Sequence, residues 1–136
     1  MNKLIFATHN PDKVKEVREL LSDSFEILGL NDIRFKEDII EDKLTIIENS
    51  IKKAEFVKIK TGYDCFADDS GLEVDALNGQ PGVFSKRFAG PNASSDDNIH
   101  KLLEMLRNNT NRAARFRTVI SLSKNGQITT FEGICE

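Results

Sequence analysis

Residues 67–71 read Ala-Asp-Asp-Ser-Gly, an acidic pair at the end of a short apolar run, Cys65-Phe66-Ala67. Two adjacent carboxylates at the mouth of a buried strand are costly unless a cation compensates them. Successive strand residues point to opposite faces, so Asp68 and Asp69 should diverge and at least one should face a cleft. A divalent metal with phosphate oxygens is the natural occupant of such a place. Asp, Ser and Gly are also good turn residues, and a turn allowed by Gly71 is the competing reading of the pentapeptide. Alternation alone leaves open which aspartate does chemistry.

Two further segments carry complementary groups. His9-Asn10-Pro11-Asp12-Lys13 follows an apolar run and opens a helical pattern. Helix N-termini offer unpaired N–H groups and a partial positive charge, which suits anions. Thr8 and Asn10 add a hydroxyl and an amide there, and Lys13 adds a full charge. The junction lacks the glycine-rich signatures of the P-loop or the dinucleotide fold. A second helical pattern contributes Glu48, Asn49, Lys52 and Lys53, with Lys53 placed to reach along the sheet towards a phosphate. The acidic run Glu37, Asp38, Glu41 and Asp42 could supply a metal ligand from a loop. Together these groups suggest a triphosphate site. Lysines and helix N–H groups would hold phosphate, carboxylates would hold Mg²⁺, and an ionised Asp would activate water. Such chemistry needs no nucleophilic Ser, Cys or His.

These side chains need elements to position them. Lys3–Thr8 is predicted as a buried first strand. Asn10 is an expected N-cap with Pro11 at the first helical position. Val14, Val17, Leu20 and Leu21 form an apolar stripe on the helix that follows, to about Leu21. Phe25–Leu30 reads as a second strand and 31–43 as irregular. Thr45-Ile46-Ile47-Glu48 reads as a capping box. It opens a helix that should turn Ile47, Ile51, Ala54 and Ile59 to the core and end at Gly62. Tyr63–Asp69 is the next strand, which Leu72–Asp75 could extend or pair with. Residues 79–92 read as a long loop, and Ser94 or Ser95 caps a third helix to about Arg107 with Ile99, Leu102, Leu103 and Leu106 on one face. Ala114–Ser123 alternates as a strand, and Asn125-Gly126 is a hairpin turn into a last strand from Gln127. The order β-α-β-α-β, loop, helix, hairpin predicts an α/β fold with a mixed twisted sheet flanked by helices.

Length and composition bound the rest. A chain of 136 residues makes one domain (1–136) with room for a core. A net charge of -3 gives no electrostatic case for nucleic acid. No apolar stretch is long enough to cross a bilayer or to act as a signal peptide, so the expected compartment is the cytoplasm. Two cysteines form no disulfide framework; Cys65 should be a small buried hydrophobe. His100 falls on a helical pattern and should be solvated. The last strand has nothing after it to cover its edge, so the chain is expected to be truncated or completed by a partner.

Five motifs, in order along the chain, carry a family resemblance. They are Phe6-Ala7-Thr8-His9-Asn10-Pro11-Asp12-Lys13 with Glu16; Leu44–Ser50 with Lys53-Ala54; Ala67–Val74; Leu77–Phe88; and Ala114-Arg115-Phe116. The chain resembles the non-canonical purine nucleoside triphosphate pyrophosphatases, the inosine/xanthosine triphosphatase family. The resemblance implies Mg²⁺-dependent hydrolysis of dITP, ITP and XTP to monophosphate and pyrophosphate, in a homodimer, clearing deaminated purines from the nucleotide pool. It implies that Thr8, His9, Asn10, Pro11, Asp12 and Lys13 form the triphosphate-binding loop. It implies Glu41 as a loop metal ligand, Asp69 as proton acceptor and metal ligand, and Ser70, Lys53 and Lys86 as substrate contacts. His9 stands where many members have glycine. The family's Gly-Phe-Gly-Tyr-Asp-Pro and Ser-His-Arg segments, which read the base, have no counterpart here. A non-catalytic phosphate-binding or dimerisation fragment is therefore the alternative. A Maf-like pyrophosphatase would open with a Ser-Pro-Arg-Arg loop, which this chain does not have.

Overall fold

The structure is a computed structural model and describes residues 2–136. Its order is β1 (Asn2–Phe6), α1 (Pro11–Leu21), β2 (Phe25–Gly29), α2 (Ile46–Thr61), β3 (Cys65–Val74), β4 (Pro81–Gly82), α3 (Ser95–Met105), β5 (Ala114–Lys124) and β6 (Gln127–Cys135). The predicted α/β class holds. The sheet order is β2-β1-β3-β5-β6, parallel among β1, β2 and β3 and antiparallel from β3 onwards. The strands on either side of β1 are reached by helices, and these lie on opposite faces of the sheet. Leu4, Phe6, Ile27 and Phe66 pack with Val14 of α1, while Ile5, Ala7, Cys65 and Ala67 pack with Ala54 and Val57 of α2. In such sheets the crevice at the carboxyl ends of the strands, where the winding reverses, is where ligands bind.

Local chemistry sets the element boundaries. Asn10 caps α1 by accepting from the N–H groups of Asp12 and Lys13. Ser94 caps α3 in a full capping box with Asp97. At Asn125-Gly126 both residues have positive φ, as a tight hairpin requires. At Thr45 the hydroxyl accepts from the Glu48 N–H, but the Glu48 carboxylate meets that hydroxyl instead of the backbone, so the predicted box is only half made.

Three expectations fail for tertiary reasons. The α2 core face is not the predicted one: Ile47 is 42% exposed and Ile59 82% exposed, while Ile46, Asn49, Ser50, Lys53, Ala54 and Val57 are buried. Three of those six are polar: Asn49 accepts the Lys43 N–H, Ser50 bonds Ser121 of β5 at 2.7 Å, and Lys53 pairs with Glu41 beside the cleft. Leu20 of α1 and Ile99 and Leu103 of α3 are likewise exposed. Finally, no turn occurs at Gly71. The strand runs through to Val74, in unbroken register with β5. Glycine is needed at 71 because β4 crosses it there, and a Cβ would lie 2.2 Å from the Gly82 carbonyl oxygen.

That crossing shapes the sheet's open edge. On its β1 side, β3 pairs with β1 only at Cys65 and Phe66, and with β4 only at Leu72 and Glu73. Asp68, Asp69 and Ser70 lie between, with no strand neighbour on that side. β6 forms the far edge, and its residues are all exposed.

Candidate active site

The gap along β3 opens onto a cleft of about 820 Å³. Its polar end is formed by Lys13, Glu41, Lys53, Asp68, Asp69, Ser70, Lys86 and Arg87; its apolar end includes Leu72, Val83, Phe88, Leu102 and Phe116. Strand alternation now becomes concrete. Asp68 continues the Phe66 face towards α1 and takes the Lys13 ammonium at 3.0 Å. Asp69 continues the Cys65–Ala67 face towards α2, beside the ion pair of Glu41 and Lys53, whose Nζ and Oε1 are 3.1 Å apart. The anionic groups near residue 69 and the Lys13 cation thus share one cavity.

Asp69 is the unsatisfied member of the pair. Its Oδ2 is buried with no hydrogen-bond partner. Burial pushes its carboxyl up to about 6; the Lys53 ammonium opposes the rise, the Glu41 charge adds to it, and the Asn49 amide opposes it. Asn49 is itself fully buried. Its Oδ1 accepts the Lys43 N–H at 2.9 Å, which points its Nδ2 the other way, and that Nδ2 also lacks a full hydrogen bond. Ser70 points into the cleft and shares a 2.8 Å hydroxyl bond with Thr118 of β5.

The predicted loop residues divide. Lys13 enters the large cleft, whereas Thr8, His9 and Pro11 line a separate, much smaller hollow of about 80 Å³ with Asn31 and Asp32. Asn10 is occupied as the helix cap through its side chain, and its own N–H donates to Thr8 Oγ1 at 3.1 Å. Asp12 is exposed in the first turn. His9 clasps the acidic segment: its ring nitrogens lie 3.0 Å from Asn31 Oδ1 and 3.0 Å from the Glu37 carbonyl. Those two acceptors raise its pKa, the Asn31 contact most. Glu37 and Asp42 pair outward with Lys60 and Lys52, leaving Glu41 as the residue of that run that borders the cleft.

Two contributors were not singled out from sequence, and a third was singled out only as one polar group of the second helix. Arg87 donates to the Glu41 carbonyl at 3.3 Å and lines the cleft, so it joins the 3₁₀ turn at 85–87 to the loop of Glu41. Asn98 of α3 holds that turn, accepting the Ala89 N–H and donating to the Lys86 carbonyl. Asn49 is the third. The available signal was the spacing of Asn49, Lys53 and Val57, one polar-to-apolar stripe at intervals of four that an apolar-only reading of α2 passes over.

The residues present suit a hard divalent cation. Glu41 and Asp69 offer carboxylate oxygens, hard donors, on one side of the same cleft. No cluster of three or more His, Cys, Asp or Glu side chains is assembled among the described residues. That is consistent with an ion completed by substrate phosphates and water, as Mg²⁺ commonly is.

Comparison with known proteins agrees with this architecture. A profile of the Ham1 family matches residues 4–136. A dITP/XTP pyrophosphatase of Flavobacterium johnsoniae is 52% identical over 134 residues, which cover 98% of this chain and 70% of that protein. Among solved structures, the Ham1 protein of Staphylococcus aureus superposes with a TM-score of 0.90 at 37% identity, over 98% of this chain and 69% of that one. A HAM1 protein from Coxiella burnetii superposes with a TM-score of 0.92 at 37% identity, over 99% and 71%. The chain belongs to the Ham1 family.

Proposed function

We propose that this chain is a nucleoside triphosphate pyrophosphatase acting on dITP, ITP and XTP with Mg²⁺, releasing the monophosphate and pyrophosphate. The carrying observation is the half-buried, unpartnered Asp69 carboxylate in a cleft that also holds Lys13 and Lys53. The names of relatives at about half identity support the substrate class. In this reading Lys13, Lys53 and Lys86 bind the triphosphate, and Ser70 orients it. The Asp69 carboxylate takes a proton from a water molecule whose oxygen attacks the α-phosphorus. The Pα–O bond to the β-phosphate then breaks, and pyrophosphate leaves. Held by Glu41 and Asp69, Mg²⁺ would neutralise charge on the phosphates. Burial serves Asp69 as a base, because a carboxylate with a raised pKa accepts a proton more readily than an ordinary one.

Thr8 to Asp12 serve this reading by shaping the loop that aims Lys13, with His9 fastening the acidic segment behind it. The protein is proposed to work on free nucleotides in the cytoplasm, as a homodimer, with residues 1–136 forming one domain unit. No helix among the described residues is long and apolar enough to cross a membrane. Incubation with dITP and MgCl₂ should yield dIMP and pyrophosphate in equal amounts. Orthophosphate instead of pyrophosphate would place the cut at the wrong bond. Triphosphate binding without turnover would make the chain a binding module and reject the proposal.

A further inference from the structure

We infer that Asn49 is a positioning residue that sets the spacing of Glu41 and Asp69, and through them the affinity for a divalent cation. The inference rests on the function proposed above for its meaning, but on geometry for its support. Asn49 is 1% exposed, on the face of α2 that meets the sheet. Only an oxygen can accept the Lys43 N–H, so the 2.9 Å contact fixes the amide's orientation and sends Nδ2 towards β3. There one buried donor and one buried acceptor, Asn49 Nδ2 and Asp69 Oδ2, each lack another partner. Buried polar groups without partners are rare in folded proteins, and two complementary ones at one place need a reason.

The two ends of this amide act on different parts of the chain. Lys43 lies two residues beyond Glu41, in a segment with no regular secondary structure of its own. That segment is anchored from the helix by Asn49 and Lys53 and from the far side of the cleft by Arg87. Asp69 sits on a rigid strand. One side chain therefore stands between the carboxylate of that segment and the carboxylate of the strand. Drawing Oδ2 of Asp69 onto the buried amide leaves the other oxygen to the cleft. Ser50, the next residue on the same buried face, makes a comparable bond to Ser121 but touches neither carboxylate.

The test compares Asn49→Leu, which keeps the volume and removes both contacts, with Ser50→Ala. Mn²⁺ alone is titrated into each chain and free ion is read by electron paramagnetic resonance; melting temperature is recorded in parallel. Loss of a group that orients metal ligands typically weakens metal binding by about 10–100-fold. Asn49→Leu should weaken Mn²⁺ binding at least about tenfold. In the dITP assay it should raise the Mg²⁺ needed for half-maximal rate by a similar factor, with KM for the nucleotide nearly unchanged. Ser50→Ala should lower the melting temperature and leave Mn²⁺ affinity alone. Should Asn49→Leu not fold, Asn49→Ser, too short to span both partners, should show the same loss. Equal Mn²⁺ affinity in the Asn49 and Ser50 variants, or no Mn²⁺ binding by the unmodified chain, overturns the inference. Absence of pyrophosphate release by the unmodified chain would instead reject the proposed activity, while the Mn²⁺ titration still decides the role of Asn49.

Discussion

On the α1 face of β3, Asp68 meets the Lys13 ammonium at 3.0 Å, whereas on the α2 face Asp69 stands beside the Glu41–Lys53 pair with one buried oxygen unpaired. The two residues are adjacent in the chain and identical in chemistry. Strand alternation sends them to different layers, and each layer supplies a different neighbour. Asp68 is neutralised by a partly exposed cation and serves to hold it in place. Asp69 is desolvated without full compensation, which is the usual mark of a group kept for reaction and not for stability. Position on a strand, not residue type, divides the labour.

The strongest way to break this comparison is to exchange the chemistry at each position. Asp69→Asn should lower kcat for pyrophosphate release by about 10²–10⁴-fold, the usual contribution of a positioned base, with the fold intact by circular dichroism. Asp68→Asn should cost no more than about tenfold, since Lys13 remains and only its tether is lost. Equal losses from the two substitutions would show that the faces are not distinct. Between them falls Lys13→Ala, which removes a charge-assisted contact to phosphate and should raise KM for dITP by about 10–100-fold.

Acidity sharpens the same contrast. In the proposed reaction Asp69 acts as a base only when ionised, and burial has moved its carboxyl up to about 6. The rate should therefore fall as the pH drops through about 6, and added Mg²⁺, which competes with the proton, should shift that limb downwards. An acidic limb near pH 4 at every Mg²⁺ concentration would show that the base is not the buried Asp69 carboxyl.

The smallest effect is on stability. A raised carboxyl pKa means that the folded state binds the proton more tightly than the unfolded one between about pH 4 and pH 6. The corresponding stability is present below about pH 4 and is lost as the pH rises through about 6. Without divalent ions, Asp69→Asn should be more stable than the parent at pH 8, by no more than about 1 kcal/mol because the group is only half-buried. The difference should vanish at about pH 4. Urea melts at the two pH values check it, and a less stable Asn variant at pH 8 would contradict the desolvation argument.

Much of the fold is written in local signals. Asn10, Ser94 and Asn125-Gly126 end or begin elements by bonding their own neighbours, so their reading survives any packing. The candidate site was legible in part, because Lys13 sits in the first turn of a helix, Glu41 in a loop and Asp69 in an acidic pair that follows an apolar run, where charge is readily noticed. Ile47 and Ile59 of α2 are exposed although apolar, because hydrophobicity alone does not decide burial there. On that helix the buried groups are chosen by partners on β3, β5 and the loop at 41–43, which no window of α2 contains.

The sequence by itself determined the helix caps at Asn10 and Ser94 and the hairpin turn at Asn125-Gly126, the alternation that separates Asp68 from Asp69, and which charged groups were available. Tertiary structure decided the rest: that Gly71 passes beneath β4 without turning, that Asn49 and Lys53 face inward, and that Lys13, 55 residues before Asp68, reaches it. The physical reason is range. Caps, turns and strand alternation act over a few residues, whereas the environment that raises the Asp69 pKa depends on groups brought together from the loop of Glu41, α2 and β3.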